Sequence, residues 1–147
     1  MTSNKMLGST SVLLVLVLMI VTFGIYYPIW FLRRKNILNR LSTTTKLYSQ
    51  MAVVLLILLV LTIPGQFREV FSFDETILGI LMLITAALFF VSAILGWILA
   101  FRVRRMLDEH YNRDLRMEIP FSGLTTFFLT IYYLQYKMNR LTISSEQ

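Results

Sequence analysis

Charged residues divide the chain into four uninterrupted uncharged runs, Met6 to Leu32, Leu47 to Phe67, Thr76 to Phe101 and Ile119 to Tyr136, of 27, 21, 26 and 18 residues. An α-helix needs about 20 apolar residues to cross a hydrocarbon core of about 30 Å. The runs account for 92 of the 147 residues, and the remaining 55 leave no room for a separate extramembrane domain. The pattern therefore predicts an all-α fold: a polytopic integral membrane protein, a four-helix transmembrane bundle forming a single membrane domain over 1–147, with spans at about 11–32, 47–64, 76–101 and 119–136.

The first run ends with Tyr26, Tyr27 and Trp30 beside Arg33, Arg34 and Lys35, an aromatic belt next to a basic anchor, and Pro28 is expected to kink its last turn. The short link to the second span makes the first two helices antiparallel neighbours, with Ser42 to Thr45 offering N-caps for the second, which should stop at Pro64 and Gly65. In the third, Ser92, Gly96 and Ala100 recur every four residues, a column of small side chains that lets another helix approach, in the same chain or in another copy. Past Phe101 the i, i+4 stripe Val103, Leu107, Tyr111 and Leu115 continues, accompanied by the opposite-charge pairs Arg104/Asp108, Arg105/Glu109 and Glu109/Arg113. Helix three is thus expected to extend as a cytoplasmic amphipathic helix with a solvated, salt-paired face, ending before Pro120.

Mean hydropathy is +0.68 and only 15% of residues are charged, which excludes an ordinary soluble domain. The net charge of +6 is therefore topology information, not a sign of nucleic acid. Segment 33–49 carries five cations and no acid, segment 102–118 another five, and the connection 66–75 sets one Arg against three acids. The two basic connections belong inside. The first run lacks a small-residue cleavage site, and its basic cluster follows it instead of preceding it, so it reads as an uncleaved span with the N-terminus outside. The fourth run, 18 residues interrupted by hydroxyls, is ambiguous. If it spans, Lys137 and Arg140 fall outside and the basic balance is ten to four; if it re-enters, the balance is twelve to two. Its threonine-rich face suits packing in a bundle, and we expect a fourth span.

No ionisable residue lies in the middle of a run, which argues against a proton-coupled transporter. No Walker A loop, GxGxxG, HExxH or GxSxG occurs, there is no cysteine, no N-x-[ST] sequon, and the single His110 with Asp114 and Glu109 makes a poor metal site; a solvated histidine is expected. No catalytic residue, cofactor or metal is predicted. Two groups could touch ligands. Arg33, Arg34, Lys35, Arg102, Arg104 and Arg105 at the inner surface would attract anionic lipid headgroups, at roughly 1 kcal/mol per cation. Tyr26, Tyr27, Trp30, Tyr133, Gln135 and Tyr136 form a boundary cluster in which Gln135, the one strongly polar side chain of its run, needs a partner. Helix-to-helix hydrogen bonding would supply it; a lipid or small-molecule pocket is the alternative. The two ends also echo one another, with Ile25, Tyr26, Tyr27 matched by Ile131, Tyr132, Tyr133 at unequal offsets from the basic residues that follow, which reads as convergent membrane-boundary chemistry.

The string TFGIYYPIWF at 22–31, followed by a basic stretch containing Asn36 and Asn39, resembles the opening of the domain of unknown function 4234 family, small multi-pass prokaryotic membrane proteins. FRVRRML at 101–107 and TFFLTIYYLQYKMNRL at 126–141 are similar to that family's C-terminal portion, so the likeness runs from about 11 to 141; Pro28 and Ile29 stand where the family often has an aromatic directly before the tryptophan. The resemblance implies a polytopic protein of the prokaryotic inner membrane and supplies no activity. We expect a non-enzymatic component that assembles with itself or a membrane-protein partner through transmembrane helix packing. The rival is a homo-oligomeric channel or small-solute or lipid carrier.

Overall fold

The computed structural model describes residues 10–41, 43–66, 74–114, 116 and 119–144. Among them the fold is all-α: α1 (Val12–Val21), α2 (Tyr26–Leu38), α3 (Ser49–Gln66), α4 (Glu75–Asp108) continuing into a π-helical segment (Glu109–Asp114), and α5 (Gly123–Ser144).

The first run does not cross as one helix. A continuous helix from Thr10 to Arg34 would separate them by about 36 Å, yet an Arg34 guanidinium nitrogen donates to the Thr10 hydroxyl at 2.8 Å. The chain therefore turns back between α1 and α2, and α1 begins beside the basic end of α2. The turn is built locally. Phe23 and Gly24 take φ of 50° and 86°, and the Gly24 and Phe23 amides return to the Met19 and Ile20 carbonyls at 2.9 and 3.2 Å, closing α1 in the way a left-handed cap does. Thr22 then joins the two helices, its hydroxyl donating to the Leu18 carbonyl at 2.7 Å and accepting from the Tyr26 amide at 2.9 Å. The expected kink at Pro28 does not occur, because Pro28 falls in the first turn of α2, where a missing N–H leaves nothing unpaired.

The fourth run folds back in the same way. Thr130, at φ 39° and ψ −116°, interrupts α5. In a straight helix Ser122 and Tyr133 would stand about 16 Å apart; here the Ser122 amide donates to the Tyr133 hydroxyl at 3.0 Å, and the Lys137 ammonium lies 5.6 Å from the Phe121 ring. The residue immediately before each Ile-Tyr-Tyr string, Gly24 and Thr130, thus has a positive φ. The echo between the chain's ends marks two chain reversals rather than boundary chemistry.

Only one helix among the described residues, α4 with its π continuation, is long and apolar enough to cross a membrane; the apolar parts of α1 and α3 are shorter. Because the first and fourth runs double back, the described helices form a pair of longer helices, α3 and α4, with two hairpins packed against one end, rather than four straight helices side by side. Among the described residues every fully buried large side chain, including Trp30, Phe31, Leu38, Leu99, Met106, Leu107 and Leu134, lies in that half. In the other half most of α4 is exposed, with Leu78, Leu81, Thr85 and Leu88 half-buried.

The extension of helix three past Phe101 is present and amphipathic, with Arg105 and Arg113 on its exposed face and Arg105 pairing Glu109 as expected. Val103, Leu107 and Tyr111 are buried, while Leu115 lies outside the described residues. In the π segment Glu109, His110 and Tyr111 are all buried, Glu109 against Thr44 and Thr45 of the connection before α3. His110 packs edge-on against Tyr111, with ring centroids 5.0 Å apart, so the expectation of a solvated histidine is overturned. Two asparagines close the connections at this end. Asn39 donates to the Leu47 carbonyl at 2.9 Å and accepts from its amide at 2.7 Å, and Asn112 brackets Ile119 in the same manner.

The turn geometry predicts opposite outcomes for two glycines that both have open space where a Cβ would stand. Gly24→Ala should cost about 1–2 kcal/mol from left-handed strain alone, whereas Gly79→Ala, in regular helix, should stabilise by about 0.5–1 kcal/mol. Denaturant titration in micelles measures both; equal effects would contradict the assigned turn.

Candidate functional site

The two hairpins are locked together by one carboxamide. Gln135 is completely buried, and all four of its hydrogen-bonding positions are used. Its oxygen accepts from the Trp30 indole N–H at 2.9 Å and from Arg34 at 3.0 Å, while its nitrogen donates to the Thr10 carbonyl at 3.1 Å and to Asn139 Oδ1 at 2.7 Å. Asn139 Nδ2 in turn donates to the Thr10 carbonyl at 2.8 Å. Sequence reading placed Trp30 and Gln135 in one cluster but missed Thr10 and Asn139. Asn139 was accessible from its i+4 spacing to Gln135; Thr10 was not, because its proximity depends on the chain reversal.

The other boundary residues go elsewhere. Tyr26 is buried and Tyr136 is exposed; Tyr133 spans the α5 hairpin, accepting from the Ser122 amide and donating to the Pro120 carbonyl at 3.4 Å. Tyr27 crosses to α4, where its hydroxyl donates to the Gly96 carbonyl at 3.1 Å. The small-residue column is the surface it meets. Ser92, Gly96 and Ala100 are all buried inside the chain, and a Cβ on Gly96 would stand 2.8 Å from Tyr27 Cε1. This column is occupied by the chain's own hairpin.

Of the six cations expected to face lipid headgroups, four are engaged in the fold. Arg34 serves Gln135; the Lys35 ammonium donates to Ser49 Oγ at 3.1 Å; Arg102 lies against Met51 and 5.8 Å from the Tyr48 ring centroid. Arg104 clamps the Phe121 carbonyl through two nitrogens at 3.0 and 2.6 Å, so its expected pairing with Asp108 gives way to a tie onto the start of α5. Arg33 and Arg105 are exposed, Arg105 while pairing Glu109 at 3.2 Å.

Glu109 anchors the connection between α2 and α3. Thr44 and Thr45 hydroxyls donate to its two oxygens at 3.1 Å, and the Thr45 amide adds a third contact at 3.4 Å. These threonines do not cap α3, as the sequence led us to expect. Burial pushes the Glu109 carboxyl up, but the Thr45 amide, the two hydroxyls and Arg105 outweigh it and hold the group below the usual carboxylate range.

Between the hairpin tips and α4 lies a cavity of about 240 Å³, lined by Gly24 and Thr130 at the two reversals and by Leu55, Leu59, Gly96 and Trp97. It adjoins a wider cleft of about 750 Å³ between the outer halves of α3 and α4, the two sharing Phe23, Phe89 and Ala93.

An all-α chain of two helical hairpins on a helix pair, one helix of which can cross a membrane, is the class that this fold and its buried joint define. The chain belongs to the family described as Domain of unknown function (DUF4234), whose model matches residues 10–109. The match takes in both residues that α2 contributes to the joint and leaves α5, with Gln135 and the closing string at 126–141, beyond it. None of the curated proteins and none of the solved structures compared with the chain matches it.

Gly96→Ala should push the Tyr27 ring off α4 and cost about 1–3 kcal/mol, against about 1 kcal/mol for Tyr27→Phe, which removes only the hydrogen bond. Denaturant titration separates the two; a neutral Gly96→Ala would remove the close contact from the account. The Glu109 clamp predicts a pH effect of definite sign. Because the folded carboxyl titrates below its unfolded value of about 4.3, its contribution is complete above that value and is lost as pH falls through the lower folded one. The stability difference between parent and Glu109→Gln should therefore stay level from about pH 7 to 5 and shrink below about pH 4; growth on acidification would reverse the assignment.

Proposed function

We propose that this chain is a non-enzymatic integral protein of the prokaryotic cytoplasmic membrane, in which α4 crosses the bilayer with the shorter apolar α3 crossing beside it, and both hairpins enter from the cytoplasmic leaflet, so that both termini face the cytoplasm. The charge distribution supports this orientation. Every Lys and Arg among the described residues belongs to the hairpin end, whereas Asp74 and Glu75 stand at the opposite one. The N-terminus thereby moves from the outside, where an uninterrupted first span would put it, to the side of Arg34. Of the six cations expected at the headgroups, Arg33 and Arg105 remain exposed to them.

In this reading the protein acts by assembling with itself or another membrane protein through helix packing. The small-residue column is already taken by Tyr27, so the face that carries the proposal is a different one. Ile80, Ile84, Ala87, Val91, Ile94 and Ile98 are exposed on α4 and alternate in steps of four and three. That is the seam spacing of left-handed helix pairs, filled here by β-branched side chains around one small residue.

The chain has no cysteine, which makes a periodicity test direct. Single cysteines at Ile84 and Val91 should cross-link between copies or to a membrane partner, and cysteines at Met82 and Phe89, on the opposite side of the helix, should not. Uniform or absent cross-linking sinks the assembly reading. Compartment-sensitive reporters fused to either terminus should both report the cytoplasm, and an N-terminal reporter found outside would restore a spanning first run.

A further inference from the structure

We infer that the cavity at the hairpin tips is a seat for the end of a phospholipid acyl chain, which reaches it through the cleft between the outer halves of α3 and α4. The inference rests on the membrane reading above and concerns a site that assembly does not use.

The chemistry of the walls selects the occupant. The hydroxyls that border the cavity are turned to the protein: the Tyr27 hydroxyl donates to Gly96 and lies beside the Thr130 hydroxyl, and the Ser92 hydroxyl donates to the Leu88 carbonyl at 2.7 Å. No charged side chain lines the cavity, and apart from these hydroxyls and the Trp97 indole its walls are hydrocarbon, which suits an apolar occupant. Access is equally specific. The hairpins fill only the basic half of the space beside α3 and α4, so the outer cleft opens sideways between exposed Phe89 and Phe90 and leads down to Phe23 and the tips. At that depth a bilayer offers acyl chains, and a chain descending from the outer leaflet would end where the hairpins begin. The reversals at Gly24 and Thr130 create the seat, because two straight helices would have filled it.

A phosphatidylethanolamine and phosphatidylglycerol vesicle doped with a phospholipid carrying a diazirine at its acyl terminus provides the probe. After photolysis, peptide mapping should find adducts at Leu59 and Trp97 inside the cavity as well as at Leu83 on the outer surface of α4. Ala93→Phe narrows the passage shared by cleft and cavity, and should lower the Leu59 and Trp97 adducts at least five-fold while leaving Leu83 unchanged. Adducts at Leu83 with none in the cavity, or cavity adducts indifferent to Ala93→Phe, overturn the seat and leave the membrane reading standing. No adduct at Leu83 overturns the membrane reading itself.

Discussion

Gln135 sits where water is excluded and must satisfy two donors and two acceptor positions from the protein alone. It does so with groups that the sequence scatters across the whole chain: Thr10, Trp30, Arg34 and Asn139. Meeting those four demands at once requires the first run to double back, so that Thr10 and Arg34 share one end, and requires the second half of α5 to lie against both. A buried amide with three partners would be a liability of about 1–3 kcal/mol; with four it fixes a unique arrangement. The pairing of the hairpins and the one-sided core depend on that joint.

The consequence of hairpins is that packing is concentrated in one half of the molecule. Tyr27 reaches Gly96 because α2 comes up from the basic end and stops there, and the close approach needs a residue without a Cβ. A small-residue column that looked equally suited to contacts within a chain or between chains is thereby assigned to the former. The far half of α4 is left with a broad apolar exterior, including Ile80, Leu83, Phe90 and Val91, the surface on which both the proposed assembly and the proposed lipid contact depend.

At the basic end, polar side chains stand in for secondary structure. Asn39 and Asn112 each pair both backbone groups of a distant residue, as a neighbouring strand would, and Glu109 gathers the Thr44 and Thr45 hydroxyls. The cations are mostly structural as well. Arg104 uses its guanidinium fork on the Phe121 carbonyl, and Arg34 donates through one nitrogen to Gln135, satisfying oxygen acceptors that helices alone would leave open.

The sequence by itself determined that the chain is helical, where its uncharged runs begin and end, that its cations gather beside Trp30 and Phe101, and that Gln135 needed partners, because hydropathy, charge and hydrogen-bonding capacity are properties of residues. It also carried the family likeness. Whether a run goes through or comes back was decided only by tertiary structure. An uncharged stretch of 27 residues has the same hydropathy in either course, and the reversal requires no more than positive-φ backbone at Phe23 and Gly24, or at Thr130. The glycine was visible, but a glycine in an apolar helix is common, and Thr130 is a residue from which such a turn would not be read. Local contacts close the first turn, but the contacts of Gln135 with Trp30 and Arg34, 105 and 101 residues away in sequence, hold the two hairpins together.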